Sequence, residues 1–125
     1  MKNSVFGELV FNTGWKAKAE IVLFSKNYSI VVKAKAYFEK DGITKEQEAA
    51  FANFQAHKTE QLNIAEKLLM KFSVNEAAER FIPRTLLFQR DGSYALLLDD
   101  NEDEDGGIAV SLEPTAAVLS QDEYL

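Results

Sequence analysis

The sequence predicts an α+β domain: an antiparallel sheet of about six strands, three N-terminal and three C-terminal, with one long amphipathic helix packed on one face. Three observations carry that reading. Residues 15–38 alternate apolar and polar with a period of two, residues 44–72 repeat apolar side chains at spacings near three and four, and residues 85–112 return to short strand-like runs around Asp91-Gly92. A chain of 125 residues that is 46% apolar is long enough for one domain, 1–125, to bury a core of its own.

Val5 to Phe11 reads as a first short strand, ended by Asn12-Thr13-Gly14. From Trp15 the alternation places Trp15, Ala17, Ala19, Ile21 and Leu23 on one face, and it resumes with Tyr28, Ile30, Val32, Ala34, Ala36 and Phe38. A turn at Lys26-Asn27 sets Leu23 opposite Ile30, Ile21 opposite Val32, Trp15 opposite Phe38, Glu20 opposite Lys33 and Lys18 opposite Lys35. Thr44-Lys45-Glu46-Gln47 has the form of a capping box. Ala50, Phe51, Phe54, Ile64, Ala65, Leu68, Leu69 and Phe72 then form the buried stripe of the long helix, with a kink between His57 and Glu60. Asn75 caps a short second helix through Arg80, and Pro83 prevents its continuation. Thr85 to Gln89 is a strand, Asp91-Gly92 a hairpin turn, and Tyr94 to Leu98, apolar on both faces, a central strand. Ile108, Val110 and Leu112 alternate in a last strand ended by Pro114, and Gln121 to Leu125 is a polar tail whose Tyr124 can dock.

Composition excludes several kinds of chemistry. The chain has no cysteine, which removes disulfides, thiolate metal sites and cysteine nucleophiles. A formal net charge of −6 argues against a nucleic-acid partner and agrees with a basic protein partner. No secretory h-region precedes the first strand, and no apolar stretch reaches the roughly 18–20 residues of a membrane span. The expectation is a cytoplasmic protein without a membrane partner, in which Asn27-Tyr28-Ser29 matches the glycosylation triplet by chance. Neither a Gly-x-Ser-x-Gly elbow, nor His-Glu-x-x-His, nor a Gly-x-x-x-x-Gly-Lys phosphate loop is present, and His57 is the only histidine. No catalytic, cofactor-binding or metal-binding residue is assigned.

Two charged regions remain. Asp99, Asp100, Glu102, Asp103, Glu104 and Asp105 put six acids between two apolar segments. Aligned as a calcium loop they offer Asn101, Asp103 and Asp105 at positions one, three and five, but position twelve is Leu112 where a bidentate Glu is needed. A solvated hairpin loop fits better. The second region is the outer face of the long hairpin, where Lys16, Lys18, Lys33 and Lys35 lie among Val22, Phe24, Val31 and Tyr37, a mixture more apolar than solubility requires. The candidate partner-binding residues are therefore Asp100, Glu102, Asp103 and Asp105 on one surface and Lys16, Lys18, Phe24, Lys33 and Lys35 on the other.

Several short pieces follow one another along the chain: Phe6-Gly7-Glu8-Leu9, Gly14-Trp15, Ile43-Thr44-Lys45-Glu46-Gln47-Glu48, Pro83-Arg84-Thr85-Leu86-Leu87-Phe88, Asp91-Gly92-Ser93-Tyr94, Leu98-Asp99-Asp100, Gly107-Ile108-Ala109-Val110 and Gln121-Asp122-Glu123-Tyr124-Leu125. In these pieces, which cover nearly the whole chain, the sequence resembles a bacterial domain-of-unknown-function family. The resemblance implies a small cytoplasmic domain with no assigned reaction, some relatives of which are suspected immunity proteins of toxin systems. The function expected is a non-enzymatic interaction module, an immunity-type protein binding a partner such as a basic toxin. The alternatives are an orphan hydrolase or small-ligand domain using clustered carboxylates, and a fold stabilised by calcium at the acidic loop. The sequence sets no oligomeric state.

Overall fold

Backbone geometry at Phe24 and Ser25 decides how the long hairpin closes. In the computed structural model both residues take positive φ, 52° and 62°, the pair of left-handed conformations that a two-residue type I′ turn requires. They join β4 (Trp15–Leu23) to β5 (Lys26–Ala34), so Leu23 faces Lys26 instead of Ile30 and Trp15 faces Ala34 instead of Phe38. The slip is even-numbered and leaves each side chain on its expected face; Trp15, Ile21, Leu23, Ile30 and Val32 are buried. Cross-strand neighbours do change. Glu20 faces Ser29, and Lys16, rather than Lys18, stands opposite a second lysine, Lys33. Phe38 lies beyond the strand and is 62% exposed. The turn falls early because a carboxylate from a helix, Glu66, accepts the Phe24 N–H and fixes the tip, a tertiary contact that no local pattern contains.

The structure describes residues 1–103 and 106–125 in full, and the backbone alone of Glu104 and Asp105. The single strand expected over Val5–Phe11 is divided. β1 (Lys2–Asn3) and β2 (Gly7–Glu8) form a separate ribbon, and β3 (Val10–Phe11) joins the main sheet. The break follows from Asn3, whose Oδ1 accepts the N–H groups of Val5 and Phe6 and turns the chain there. The main sheet has seven strands in the order β3-β4-β5-β6-β7-β8-β9, completed by β6 (Phe81–Phe88), β7 (Tyr94–Asp100), β8 (Asp103–Glu113) and β9 (Ala117–Ser120). One more strand than expected appears because residues 117–120 pair with β8. All neighbours are antiparallel except β5 and β6. That pair is parallel because the helices form a crossover between them, which a hairpin cannot do.

The expected long helix is two helices, α1 (Lys45–Ala56) and α2 (Lys58–Phe72), broken at His57 with φ −123° and ψ 28°. Thr44 caps α1 as its sequence predicts. Its hydroxyl accepts the Gln47 N–H at 3.0 Å and the Gln47 side chain accepts the Thr44 N–H at 2.9 Å. Phe51, Phe54, Ala65 and Leu69 of the expected stripe are buried, whereas Ile64 and Phe72 are exposed, since the break rotates the second half of the stripe. α3 (Ala77–Arg80) is shorter than expected and Glu76, not Asn75, precedes it. Chain extension resumes at once, and β6 takes in Pro83 at a register shift between Pro83 and Thr85, where a missing N–H is tolerated.

Phe6, Phe51, Phe54, Phe88 and Tyr94 make the aromatic centre of the core, with Phe6 stacked on Phe51 at 4.6 Å and Phe88 against Tyr94 at 4.9 Å. The C-terminal tail docks as α4 (Gln121–Tyr124), capped by Ser120. Gln121 reaches the Leu98 carbonyl at 2.9 Å across the space left by Gly107, where a Cβ would overlap Gln121. Tyr124 is half-buried, and burial pushes its phenol up.

Candidate functional site

The acidic segment is a hairpin, but its acids are not confined to a loop. Asp99 and Asp100 belong to β7, Asp103 begins β8 opposite Asp100, and the turn is Asn101-Glu102. Arg80, at the end of α3, organises the region. Its Nε and Nη2 donate to the two Asp100 oxygens at 2.8 and 3.0 Å, and its Nη1 lies 3.2 Å from a Glu102 oxygen. The guanidinium lies against both Phe81 and Phe72, 4.9 and 5.4 Å from their ring centroids, and those two rings meet edge to face 6.0 Å apart. The Arg80 carbonyl also accepts the Asn101 N–H, and the Asn101 side chain donates to the Glu79 carbonyl. A side chain packed against two rings and bonded bidentately is preorganised, and the hydrogen bonds from Arg80 keep the Asp100 carboxyl below its ordinary range. Arg84 pairs with Asp99 at 2.7 Å in a solvent-exposed contact. Of the candidate acids, the Asp100 side chain is therefore internal to the fold, Glu102 and Asp103 face solvent, and the Asp105 side chain lies outside what the structure describes.

The lysine face is brought together as expected, with a different geometry. Lys16 and Lys33 stand directly opposite each other, Lys18 faces Val31, and Lys35 follows β5 with its Nζ 5.9 Å from the Tyr37 ring. Lys33 packs its stem over Gly14, whose missing Cβ makes room for it. Burial lowers the Lys33 ammonium, and Lys16 and Lys35 lower it further by repulsion. None of these four lysines has an ion-pair partner among the described residues. Phe24 sits apart from them at the hairpin tip.

Beside this face the loop 35–42 is clamped by Arg90, which donates to the carbonyls of Gly42, Asp41 and Lys35 at 2.7, 3.1 and 3.2 Å. Tyr37 and Phe38, 77% and 62% exposed, are thus presented on a tied loop. Sequence reading missed both organising arginines. Arg80 was partly detectable: continuing the Phe88–Tyr94 pairing back past Thr85 places Ile82 opposite Asp100, two residues from Arg80, and the register shift at Pro83 then makes the partner Phe81. Arg90 offered no such signal, because its partners are backbone carbonyls distant in sequence.

His57 is exposed at the helix break, its Nδ1 3.1 Å from the Asn53 carbonyl oxygen. Among the described residues no three His, Asp or Glu side chains converge as metal ligands. No helix among them is long and apolar enough to cross a membrane. No family model, curated protein or solved structure matches the chain.

Proposed function

We propose that the protein is a non-enzymatic interaction module that binds another protein through the lysine-bearing outer face of the β4–β5 hairpin. The observation that carries this is an electrostatic imbalance between its two charged regions. In the acidic hairpin Arg80 and Arg84 pair with Asp99, Asp100 and Glu102, whereas among the described residues Lys16, Lys18, Lys33 and Lys35 have no ion-pair partner and two of them oppose each other across a ladder. An acidic surface arriving there relieves repulsion already present in the free protein, which favours both encounter and retention. The exposed Tyr37 and Phe38 at the margin supply the aromatic contacts in which binding energy concentrates.

An immunity-type role, implied by the family resemblance, is one form of this reading. A basic partner would instead address Glu102, which pairs with Arg80, and Asp103, both exposed at the tip of the hairpin. Site-specific photocrosslinking in the cells that produce the protein separates these cases. The crosslinker is placed at Ser29 on the lysine face, at Glu102 on the acidic tip, and at the exposed Ala52 of α1 as control. A discrete protein adduct at 29 is expected. An adduct at 102 alone moves docking to the acidic hairpin, and patterns no different from position 52 overturn the module reading.

A further inference from the structure

β4 is paired along its length with β5, but among the described residues its other side pairs with a strand only at Trp15 and Lys16, against β3. In a two-residue hairpin the residues flanking the turn, here Leu23 and Lys26, exchange hydrogen bonds, so the odd-numbered residues of β4 direct N–H and C=O toward β5. The groups of Lys18, Glu20 and Val22 consequently point outward. The Glu20 carbonyl is seen to do so, since it accepts the Lys58 Nζ of α2 at 2.6 Å. Further along, the Phe24 N–H is taken by Glu66 of the same helix. Two side chains of α2 thus act as donor and acceptor where a neighbouring strand would. Between β3 and the Glu66 contact, the N–H groups of Lys18, Glu20 and Val22 and the carbonyls of Lys18 and Val22 have no partner among the described residues. A groove runs beside them, between this edge and α2, lined by Glu20, Val22, Lys58, Leu62, Asn63 and Glu66.

We propose that this edge is a strand-addition site for an extended segment of a partner protein, running antiparallel to Lys18–Val22. The free backbone groups supply affinity and the side chains set the sequence. On the outer face the incoming residue opposite Lys18 is acidic and the one opposite Glu20 basic. On the inner face the residues opposite Ala19 and Ile21 are apolar, because they lie against the half-buried Ala19 and the buried Ile21 and Leu62. Opposite the exposed Val22 a β-branched residue fits best. β3 at one end and Glu66 at the other limit the inserted stretch to about five residues. The site extends the interaction-module reading to a second surface and does not depend on which charged face docks.

The probe is a blocked pentapeptide reading valine, valine, lysine, leucine, glutamate from its N-terminus, titrated into ¹⁵N-labelled protein by NMR. Saturable shifts are expected at the amides of Lys18, Glu20 and Val22, with slowed hydrogen exchange there. A peptide with lysine and glutamate exchanged binds about tenfold more weakly, as two attractive cross-strand pairs become repulsive. Val22→Pro removes an outward N–H without touching the β4–β5 ladder, so it abolishes binding while the fold persists. Lys58→Met frees the Glu20 carbonyl and tightens binding. Should Val22→Pro unfold the protein, Lys18→Glu provides the second arm: it weakens the first peptide and binds one carrying lysine in place of glutamate. No saturable shift at ~1 mM peptide, shifts centred elsewhere, or equal binding of the charge-exchanged peptide overturns the proposal. None of these results bears on crosslinking at Ser29.

Discussion

Arg80→Met isolates what the acidic hairpin contributes to stability. Methionine keeps an unbranched apolar stem against Phe72 and Phe81 and removes only the charge and its donors. Asp100 then loses both bonds of its bidentate pair while its side chain stays only 9% exposed. Removing one partner costs about 3–5 kcal/mol for a buried pair and about 0–1 kcal/mol for an exposed one. This pair lies nearer the buried limit, giving about 2–3 kcal/mol, or a fall in Tm of roughly 8–12 °C at this chain length. Asp100→Asn, which keeps the shape, should cost about 1–2 kcal/mol. The double substitution should cost less than the sum by about 1 kcal/mol. The pH dependence follows from the depressed Asp100 carboxyl. In the unfolded chain it titrates at its ordinary 3.8 and in the folded protein lower, so its contribution is complete above 3.8 and is lost as pH falls through the folded value. Urea unfolding at pH 7 and near pH 3 should show the gap between wild type and Arg80→Met closing in acid. A gap under about 0.5 kcal/mol at pH 7 would mean that the pair is no stronger than an exposed one and would refute the reasoning, as would a gap that does not change with pH.

Substitutions at three further positions have defined expected outcomes. Gln47 is fully buried, and besides closing the cap it donates to the carbonyls of Lys35 and Phe88 at 3.0 and 3.1 Å; Gln47→Met should lower unfolding free energy by about 2–3 kcal/mol in chemical denaturation. Gln47→Glu should be worse at pH 7, because a carboxylate would face those carbonyls, and should recover on acidification as it protonates. Gly107→Ala sets a Cβ 2.8 Å from the Leu98 carbonyl and against Gln121; a loss of about 1–3 kcal/mol is expected, with faster amide exchange in α4. Ser25 occupies a left-handed position, φ 62°, that suits glycine, so Ser25→Gly should raise stability by about 0.5–1 kcal/mol, read as a higher Tm.

Face assignment, capping and the Asp91-Gly92 turn were legible in the sequence because each is a local property. The period-two pattern fixes which side chains enter the core whatever the register, and Thr44 with Gln47 announces the helix start within four residues. What a single segment does not encode was read wrongly. The turn at Phe24-Ser25 has neither Asn nor Gly, the usual signal for its geometry, and it depends on Glu66 more than forty residues away. Strand β9 has no local signal, because four residues beyond a proline carry too little periodicity to count. The parallel β5–β6 pair is invisible to local patterning, as it records where the chain returns after the helices.

The charged regions show the same division at the level of function. Counting acids located the 99–105 segment, yet net charge says nothing of how many are already answered. Arg80 and Arg84 enter from α3 and β6, and they turn the densest run of carboxylates into the better compensated of the two regions. Counting lysines found a face of only four cations in a chain whose net charge is −6. The observed register then sharpened that face by setting Lys16 against Lys33 and leaving Glu20 opposite a serine. The expected register would have relieved Lys33 with Glu20. Three of the six acids are thus answered by arginines, none of the four lysines is ion-paired among the described residues, and the displaced hairpin register costs Lys33 the carboxylate that the expected pairing gave it.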